Sequence, residues 1–304
     1  MEDLVAKAEI LIEALPYIRN FYRKTFVIKY GGSAQSRDDL KELVAGDIVL
    51  FNYVGINTVI VHGGGPQITT MMQRFGKQPV FVDGHRVTDA ETMQIVEMVL
   101  GGAINKEIVS LINRHGGRAV GLTGRDASFI KARKKTGGQE RPPSDRRERA
   151  DQLPGVATNN IDLGLVGEVQ DVDVSILTTL IAGGFIPVVA PIGSGADKEA
   201  LNINADLVAS AIASALEAEK LILLTDVPGI LDKDGAIIST LRAGDFQRLA
   251  SEGTIKGGML PKVQACLQGL HNKVTKTHII DGRNPHCLLL EIFTQKGVGT
   301  EIVL

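Results

Sequence analysis

The sequence is poor in several features that mark particular protein classes. It contains no tryptophan, 4 % aromatic residues and only two cysteines among 304 residues. Cys266 and Cys287 do not form a C-x-x-C motif, and two cysteines make no disulfide framework. We expect both to be buried free thiols in a protein of a reducing, intracellular compartment.

No sequence property suggests a membrane or a nucleic acid as partner. The longest apolar run, 181–192, is interrupted by glycine and proline and is shorter than the ~18 residues of a membrane span. The formal net charge of −2 gives no general attraction to nucleic acid or anionic lipid. The first residues lack the basic and then apolar pattern of a signal peptide. These features predict a cytoplasmic protein with neither kind of partner.

Glycine, in contrast, is abundant, with 34 residues in an otherwise ordinary globular composition. The glycines show no three-residue period, which excludes a collagen-like chain. Glycine clusters mark places where the chain turns tightly or where backbone approaches a ligand closely. They occur at 31–32, 63–65, 101–102, 116–117, 183–184 and 257–258.

From Thr25 onward, short apolar runs alternate with glycine turns and helical patterns. Uniform apolar runs are typical of strands buried on both faces, and their alternation with helices predicts a mostly parallel sheet covered on both sides. The predicted strands are 25–30, 57–61, 119–122, 186–191, 221–225 and 278–280. Helices are expected at about 38–53, 66–75, 89–100 and 103–114. The sequence therefore predicts an α/β fold, a three-layer αβα sandwich around a mostly parallel sheet.

Two segments depart from this pattern. Residues 1–22 place six apolar side chains on one face of a helix that Pro16 is expected to kink. Two interpretations stay open: this stripe packs on the chain's own core, or it packs on a second copy.

Residues 131–153 are densely charged and carry Gly-Gly and Pro-Pro pairs, which predicts a mobile surface excursion. A charge-steered lid or partner contact is the alternative.

Two predicted strands end in features that suit an anion. Lys29 lies at the end of the first strand and is followed by Gly31-Gly32. Ligands of α/β proteins bind at the carboxyl edge of the sheet, and backbone amides after glycines can face an anion there. Gly63-Gly64-Gly65 follow the second strand in the same way. The alternatives are a solvent-exposed lysine and a tight turn without a ligand.

Two later segments repeat the combination of helix start and charge. If Asn204 caps the helix that follows, Asp206 lies in its first turn, with Asn202 just outside. Gly257-Gly258 open another helix that carries Lys262 in its first turns. For Asn204 and Asp206, simple helix capping is the alternative.

Other common site types are absent from the sequence. It has no P-loop, no dinucleotide-binding fingerprint, no H-E-x-x-H, no zinc-type Cys/His spacing and no G-x-S-x-G. The protein-kinase motifs H-R-D and D-F-G are also missing. Two lysines and two glycine loops without a metal cluster indicate phosphate chemistry.

Together these segments resemble the amino-acid kinase family over essentially the whole chain. Further matching segments are 83–89, 223–230, 278–283 and 291–301. Within the family, the sequence is most similar to the arginine-inhibited members that phosphorylate the side-chain carboxylate of N-acetyl-L-glutamate, the second step of arginine biosynthesis. The resemblance implies two lobes, an acceptor-substrate lobe at 23–216 and a nucleotide and arginine lobe at 217–304, preceded by the helix of 1–22.

The resemblance also implies residue roles. Three residues would be catalytic, with the carboxylate holding both lysines: Lys29, Lys262 and Asp206. Four would bind the acceptor substrate: Gly64, Gly65, Arg86 and Asn202. Five would bind the nucleotide: Gly31, Gly32, Asp226, Gly257 and Gly258. ATP would be the phosphoryl donor, with Mg²⁺ held by ATP oxygens and water and no metal site formed by the protein.

Regulation is implied by the same resemblance. L-Arginine would inhibit by binding at Tyr17, Lys220, His278, Glu291 and Gly297, although a solvated charge at a helix end is the alternative for Glu291. The N-terminal helix would interlace dimers into a hexamer, a trimer of dimers, and a PII-type regulator is a candidate partner.

Competing functions stay open at this point. Other family members act on aspartate, glutamate, carbamate or a nucleoside monophosphate, and a non-catalytic arginine sensor could use the same scaffold. The presence of both lysines and of Asp206 favours an enzyme. The scarcity of aromatic residues fits ligands that are held by charges and backbone donors.

Overall fold

The computed structural model describes residues 2–31, 35, 37–82, 84–135, 162–294 and 297–304. The α-helices in these ranges are α1 Glu2–Phe21, α2 Asp38–Tyr53, α3 Gly65–Arg74, α4 Ala90–Val96, α5 Asn105–Arg114, α6 Ser175–Ala182, α7 Ala205–Ala215, α8 Phe246–Ser251, α9 Met259–His271 and α10 Cys287–Phe293. The strands are β1 Thr25–Tyr30, β2 Asn57–His62, β3 Phe81–Val82, β4 His85–Arg86, β5 Ala119–Thr123, β6 Ile130–Lys134, β7 Gly167–Val172, β8 Ile186–Ala190, β9 Ile192–Ser194, β10 Ala200–Asn202, β11 Lys220–Thr225, β12 Thr240–Arg242, β13 Lys276–Asp281 and β14 Thr300–Val303.

The main sheet has eight strands in the order β12-β14-β13-β11-β1-β2-β8-β5. Every neighbouring pair is parallel except β13 and β14. The carboxyl ends of β13, β11, β1, β2, β8 and β5 therefore lie at one edge of the sheet, whereas β12 and β14 run in the opposite direction. This arrangement confirms the predicted mostly parallel sheet.

Successive residues of the central strands contribute to two separate cores, because side chains alternate between the faces of a strand. Phe26 and Ile28 of β1 pack in the core that includes α2, α5 and α10. Val27 packs in the opposite core with α6, α7 and α9. Helices thus cover both faces of the sheet, and the predicted three layers are confirmed.

A second, smaller sheet was not predicted. It has four strands in the order β10-β9-β6-β7, and a separate hairpin joins β3 to β4. Residues 131–134, assigned above to the surface excursion, form most of β6, so the prediction is wrong for them. Ile130 and Ala132 are buried while Lys131 and Arg133 are exposed, which is the alternation of a half-buried strand. Lys135, which follows β6, still donates its backbone N–H to Val166 O at 2.8 Å, and residues 136–153 of that segment lie outside the described residues.

The helical region 90–114 also differs from the prediction. The glycine pair at 101–102 does not separate two α-helices. Instead a π-helix, Glu97–Ile104, connects α4 directly to α5. Asp89 caps α4 by accepting a hydrogen bond from Thr92 N. π-Helical segments are rare and occur often at functional sites.

The first helix is a single element that continues through Pro16. Its apolar residues Leu11 and Leu15 are 72 % and 46 % exposed, whereas Phe21 at its end is buried. The interpretation that the whole stripe packs on the chain's own core is therefore wrong for the first part of α1.

The structure confirms the prediction for the two cysteines. Cys266 and Cys287 are buried free thiols, and burial raises the pKa of each to about 12. Among the described residues, no helix combines the length and apolarity needed to cross a bilayer.

Candidate active site

Lys29 lies near the carboxyl end of β1, in the middle of the sheet. It is in register with Val61 of β2 and Leu223 of β11, both of which run parallel to β1. Its side chain follows that of Val27 by two residues and therefore points to the face covered by α7 and α9. Lys29 is only 8 % exposed, so the alternative of a solvent-exposed strand-end lysine is wrong.

The two lysines meet at a single carboxylate. Lys29 Nζ lies 3.2 Å from Asp206 Oδ1, and Lys262 Nζ donates a hydrogen bond of 2.9 Å to Asp206 Oδ2. Asp206 is 5 % exposed and lies in the first turn of α7, which Asn204 caps by accepting from the amides of Asp206 and Leu207. Simple capping is thus part of the local structure, but it positions a charged group between two cations.

Burial and charge act against each other in this triad of Lys29, Asp206 and Lys262. Burial lowers the pKa of Lys29, while the attraction of Asp206 raises it. For Asp206, burial by itself raises the pKa, but the two ammonium groups outweigh it and the pKa is lowered. The carboxylate is therefore ionised at neutral pH and holds two ammonium groups side by side at the sheet edge.

Gly31 allows the lysine to fold back over the strand end. A Cβ atom at position 31 would lie 2.6 Å from Lys29 Nζ, which is closer than real Cβ contacts come. Gly32, the second predicted glycine of this turn, lies outside the described residues. A Cβ at Gly63 would lie 4.0 Å from Lys29 Cε, so the glycine loop 63–65 runs beside the same side chain.

The glycine loop presents amides while its carbonyl groups are held. Gly63 O lies 3.0 Å from His62 Nδ1, and Gly64 O accepts the first hydrogen bond of α3 at 2.9 Å. The amides of Gly64 and Gly65 have no acceptor among the described residues. Two unpaired donors at a helix N-terminus form a site for an anion.

Arg86 is a buried cation without a carboxylate partner in the described part of the chain. Its Nη2 donates to Gly65 O at 3.0 Å and to Thr69 Oγ1 at 2.8 Å, and its guanidinium lies 4.7 Å from the centre of the Phe81 ring. It is 7 % exposed, and burial lowers its pKa. A buried charge normally has a counter-charge, so Arg86 is suited to an anionic ligand.

Asn202 joins the same region through Thr88. Its Nδ2 lies 3.3 Å from Thr88 Oγ1, which in turn donates to Arg86 O at 2.8 Å. The structure thus brings the four predicted acceptor-binding residues to the strand ends and turns around β2, β4 and β10.

Three of the five predicted nucleotide residues, Asp226, Gly257 and Gly258, lie on the β11 side of β1. Asp226 is exposed directly after β11, the neighbour of β1. Gly257 and Gly258 are exposed immediately before α9, and no atom lies within 4 Å of a Cβ built at either glycine. Gly257 has φ of +54°, a left-handed conformation that favours glycine. Backbone there is open to a ligand next to Lys262.

Four of the five predicted arginine-binding residues form a second buried cluster. Glu291 Oε1 lies 3.1 Å from Lys220 Nζ and 2.9 Å from His278 Nδ1, and its Oε2 accepts from Val298 N at 3.0 Å. A Cβ at Gly297 would lie 2.9 Å from Glu291 Oε2.

Glu291 is 6 % exposed, so the alternative of a solvated helix-end charge is wrong. Burial raises its pKa, but His278 and Lys220 outweigh burial and lower it to about 2. Tyr17 is partly buried against the neighbouring core, at the end of α1 that contacts α10. Among the described residues, Tyr17 makes no hydrogen bond to this cluster.

Comparison with known proteins decides the family. The model of the amino acid kinase family matches residues 24–281. The chain belongs to this family. The predicted family and fold are thereby confirmed.

Relatives cover the chain from end to end. The acetylglutamate kinase of Syntrophobacter fumaroxidans is 58 % identical, with 99 % of this chain and 97 % of that protein covered. That of Persephonella marina is 56 % identical over the full length of both. Among solved structures, the N-acetylglutamate synthase from Neisseria gonorrhoeae complexed with coenzyme A and N-acetyl-glutamate has a TM-score of 0.80 at 26 % identity. That comparison covers 98 % of this chain and 63 % of the synthase chain.

Sequence reasoning gave no role to two buried residues next to the glycine loop of this kinase-family chain. His62 Nε2 lies 3.2 Å from Asn105 Nδ2, and both side chains are at most 1 % exposed. A histidine placed directly before a glycine triplet at the end of a buried strand was a visible signal. The contribution of Asn105 was not, because it comes from the end of the π-helix, 43 residues further along the chain.

Proposed function

We propose that the protein transfers the γ-phosphoryl group of ATP to the side-chain carboxylate of N-acetyl-L-glutamate. A carboxylate oxygen attacks the γ-phosphorus, the bond from that phosphorus to the ADP oxygen breaks, and the products are N-acetyl-L-glutamyl 5-phosphate and ADP. The observation that carries the proposal is the carboxylate of Asp206 holding two ammonium groups, beside backbone amides of Gly64 and Gly65 for which the described part of the chain offers no acceptor. Relatives more than 50 % identical that are named acetylglutamate kinase support the choice of substrate.

The chemistry needs positioning and charge more than proton transfer. The acceptor carboxylate is already ionised at pH 7, so no general base is required. The barrier comes from bringing an anion to a polyanion, and it is lowered by cations and aimed donors. Lys29 and Lys262 stabilise the transferring group, while Asp206 keeps them in place. One such donor commonly contributes about 3 kcal/mol of transition-state stabilisation.

The acceptor is held at two ends. The amides of Gly64 and Gly65 bind its reacting end beside Lys29. Arg86 binds its α-carboxylate with a charge-assisted hydrogen bond, which supplies the counter-charge that this buried guanidinium does not have among the described residues. Asn202 contributes an amide at the same end. The nucleotide lies along Asp226 and the open backbone of Gly257-Gly258.

Mg²⁺ belongs to the proposal as a companion of the ATP phosphates. In the described ranges, no group of three His, Cys, Asp or Glu side chains could hold a metal ion. Both oxygens of Asp206 face ammonium groups. The residues present therefore do not fit a metal ion held by the protein itself, and no step of the transfer is assigned to one.

We further propose that L-arginine inhibits the enzyme at the cluster around Glu291. A buried carboxylate that already holds a lysine and a histidine is suited to the guanidinium or α-amino group of arginine. The exposed apolar residues of α1 favour pairing with a second copy, in a hexamer built as a trimer of dimers. A PII-type regulator is a further candidate partner, and we place the enzyme in the cytoplasm.

An ADP-release assay tests the proposed reaction. We expect turnover with N-acetyl-L-glutamate and at least about 100-fold lower kcat/KM with L-glutamate, L-aspartate or carbamate, because a polar group left unpaired in the site costs that much. Lys262→Ala removes one of the two ammonium groups proposed to be catalytic, so its kcat should fall about 10²- to 10³-fold if the measured turnover comes from this site. Equal turnover with another acceptor would favour a different family activity. No turnover with any of them, together with tight arginine binding, would favour the sensor alternative.

A further inference from the structure

The geometry points to His62 and Asn105 as positioning residues that aim the amides of the glycine loop at the acceptor substrate. This inference rests on the proposed function, because it assigns a role in the same site. Neither side chain reaches the loop's open face, so each acts through the backbone of residues 63–65.

The hydrogen-bond partners fix the protonation of this pair. Gly63 O can only accept, so His62 Nδ1, at 3.0 Å, must donate. Asn105 Nδ2 lies 2.9 Å from Val188 O, which also can only accept, so Nδ2 is the amide nitrogen that donates. His62 Nε2, at 3.2 Å from the same Nδ2, must then accept. The imidazole is neutral with its proton on Nδ1, and burial lowers its pKa to about 4, which keeps it neutral.

This pairing sets the direction of the Gly64 amide. In a trans peptide, the C=O of one residue and the N–H of the next point in opposite directions. Because His62 draws the Gly63 carbonyl towards the protein interior, the Gly64 N–H of the same peptide points outward. The Gly64 carbonyl points along α3 and accepts the first hydrogen bond of the helix. The Gly65 N–H belongs to the same peptide and therefore points the opposite way, out of the N-terminus of the helix. The hydrogen bonds of two carbonyl groups, those of Gly63 and Gly64, thus fix the direction of two N–H donors, those of Gly64 and Gly65.

The π-helix Glu97–Ile104 supports the pair from behind. A Cβ at Gly64 would overlap the side-chain ends of Leu100 and Ile104, which shows that the loop rests directly on this segment. Asn105 is the residue at which the chain returns to α-helix. Its amide also lies 3.4 Å from Leu122 O, so Asn105 links β5, β8 and β2 through His62. The position of the glycine loop relative to the sheet is therefore fixed by the side chains of His62 and Asn105 as well as by the loop's own backbone.

Two near-isosteric variants separate the contacts. In His62→Asn the amide nitrogen can take the place of Nδ1 and still donate to Gly63 O. In His62→Gln the longer side chain can take the place of Nε2, and it keeps the contact with Asn105 but loses the one with Gly63. We expect His62→Asn to keep kcat within about fivefold of wild type, and His62→Gln to lose at least about tenfold, since a misaimed backbone donor costs part of its 10²- to 10³-fold effect. KM for ATP should change less than about twofold in both.

The outcomes separate this inference from the proposed function. Thermal unfolding of both variants shows whether a loss of kcat reflects unfolding. If the wild type phosphorylates N-acetyl-L-glutamate and the glutamine variant is as active as the asparagine variant, the positioning role is overturned and the function stands. If the wild type has no such activity, the function is overturned. Neutron diffraction from deuterated wild-type crystals then still decides the network: deuterium is expected on His62 Nδ1, and deuterium on Nε2 would overturn the inference.

Discussion

Replacing Asp206 with asparagine removes one negative charge from between two ammonium groups and keeps the size of the side chain. The separations of 3.2 Å to Lys29 and 2.9 Å to Lys262 set the scale of the loss. At an effective dielectric constant of about 20, each attraction amounts to about 5 kcal/mol. Removing one partner of a buried ion pair costs about 3–5 kcal/mol in practice. That cost falls on the stability of the fold. We expect kcat to fall by at least about 10²-fold for a separate reason: the ammonium groups that stabilise the transferring phosphoryl group lose their anchor, and one such aimed donor is worth about 10²- to 10³-fold.

The same substitution should also create a pH dependence. Burial already lowers the pKa of Lys29, and Asp206 is the largest influence that raises it. Without that carboxylate the pKa of Lys29 falls further, and the ammonium group loses its proton as the pH rises. We expect kcat of the variant to fall as the pH rises, and to begin falling at a lower pH than any such loss in the wild type, because the pKa of Lys29 is lower without Asp206. Acid pH should restore part of the activity.

A coupled ADP-release assay at several pH values measures both effects. Asp47→Asn is the matched control: Asp47 is a buried carboxylate on α2 whose Oδ1 lies 2.7 Å from His286 Nδ1, away from the triad. Its kcat should stay within about twofold of wild type, because it loses a buried charge without touching the site. An Asp206→Asn enzyme with kcat within threefold of wild type and an unchanged pH profile would refute the role of the triad.

Three other perturbations test the remaining parts of the proposal. Arg86→Ala should raise KM for N-acetyl-L-glutamate about 10- to 100-fold, the effect of one charge-assisted hydrogen bond, with a smaller change in kcat; steady-state kinetics would contradict this if KM were unchanged. Deleting residues 1–22 should give a smaller particle that is insensitive to arginine, and sedimentation showing an inhibitable hexamer would count against it. Glu291→Gln should weaken arginine inhibition and should destabilise the fold at pH 7 by about 3 kcal/mol. The folded state lowers the pKa of Glu291 from 4.5 to about 2, so this carboxylate stabilises the fold above pH 4.5, and that stability is lost as the pH falls towards 2. Urea unfolding at pH 7 and in acid should show this difference shrinking in acid.

The sheet edge could be predicted because its signals are local. A buried apolar strand followed by glycines, as at Lys29 and at residues 63–65, predicts both the strand and the turn after it. Parallel strands then bring these ends together without further information. The capping by Asn204 predicted the place of Asp206 in the same way. No local pattern, however, specified that both lysines would meet the same carboxylate, and the resemblance to the family supplied that.

The parts that were missed depend on contacts distant in sequence. No local pattern in residues 97–104 distinguishes the π-helix Glu97–Ile104 from an α-helix, and its contact with the glycine loop at Gly64 joins parts of the chain that are far apart in sequence. Strand β6 was hidden by its charged outer face, since only Ile130 and Ala132 are buried. That Arg86 has no counter-charge among the residues that the structure describes is likewise invisible in a sequence, because it depends on what surrounds the folded side chain.

Because Gly31 approaches Lys29 closely, a substitution at position 31 should affect turnover and folding to different extents. An alanine at 31 would meet the flexible end of the lysine, which can move aside at little cost to the fold. The displaced group is the ammonium that faces Asp206. The substitution should therefore lower kcat while leaving the stability of the fold nearly unchanged. In a mutational survey, Gly31 would score among the most sensitive positions for growth that depends on this enzyme, and among the tolerant ones for protein abundance. That divergence would identify as functional a residue that has no side chain at all.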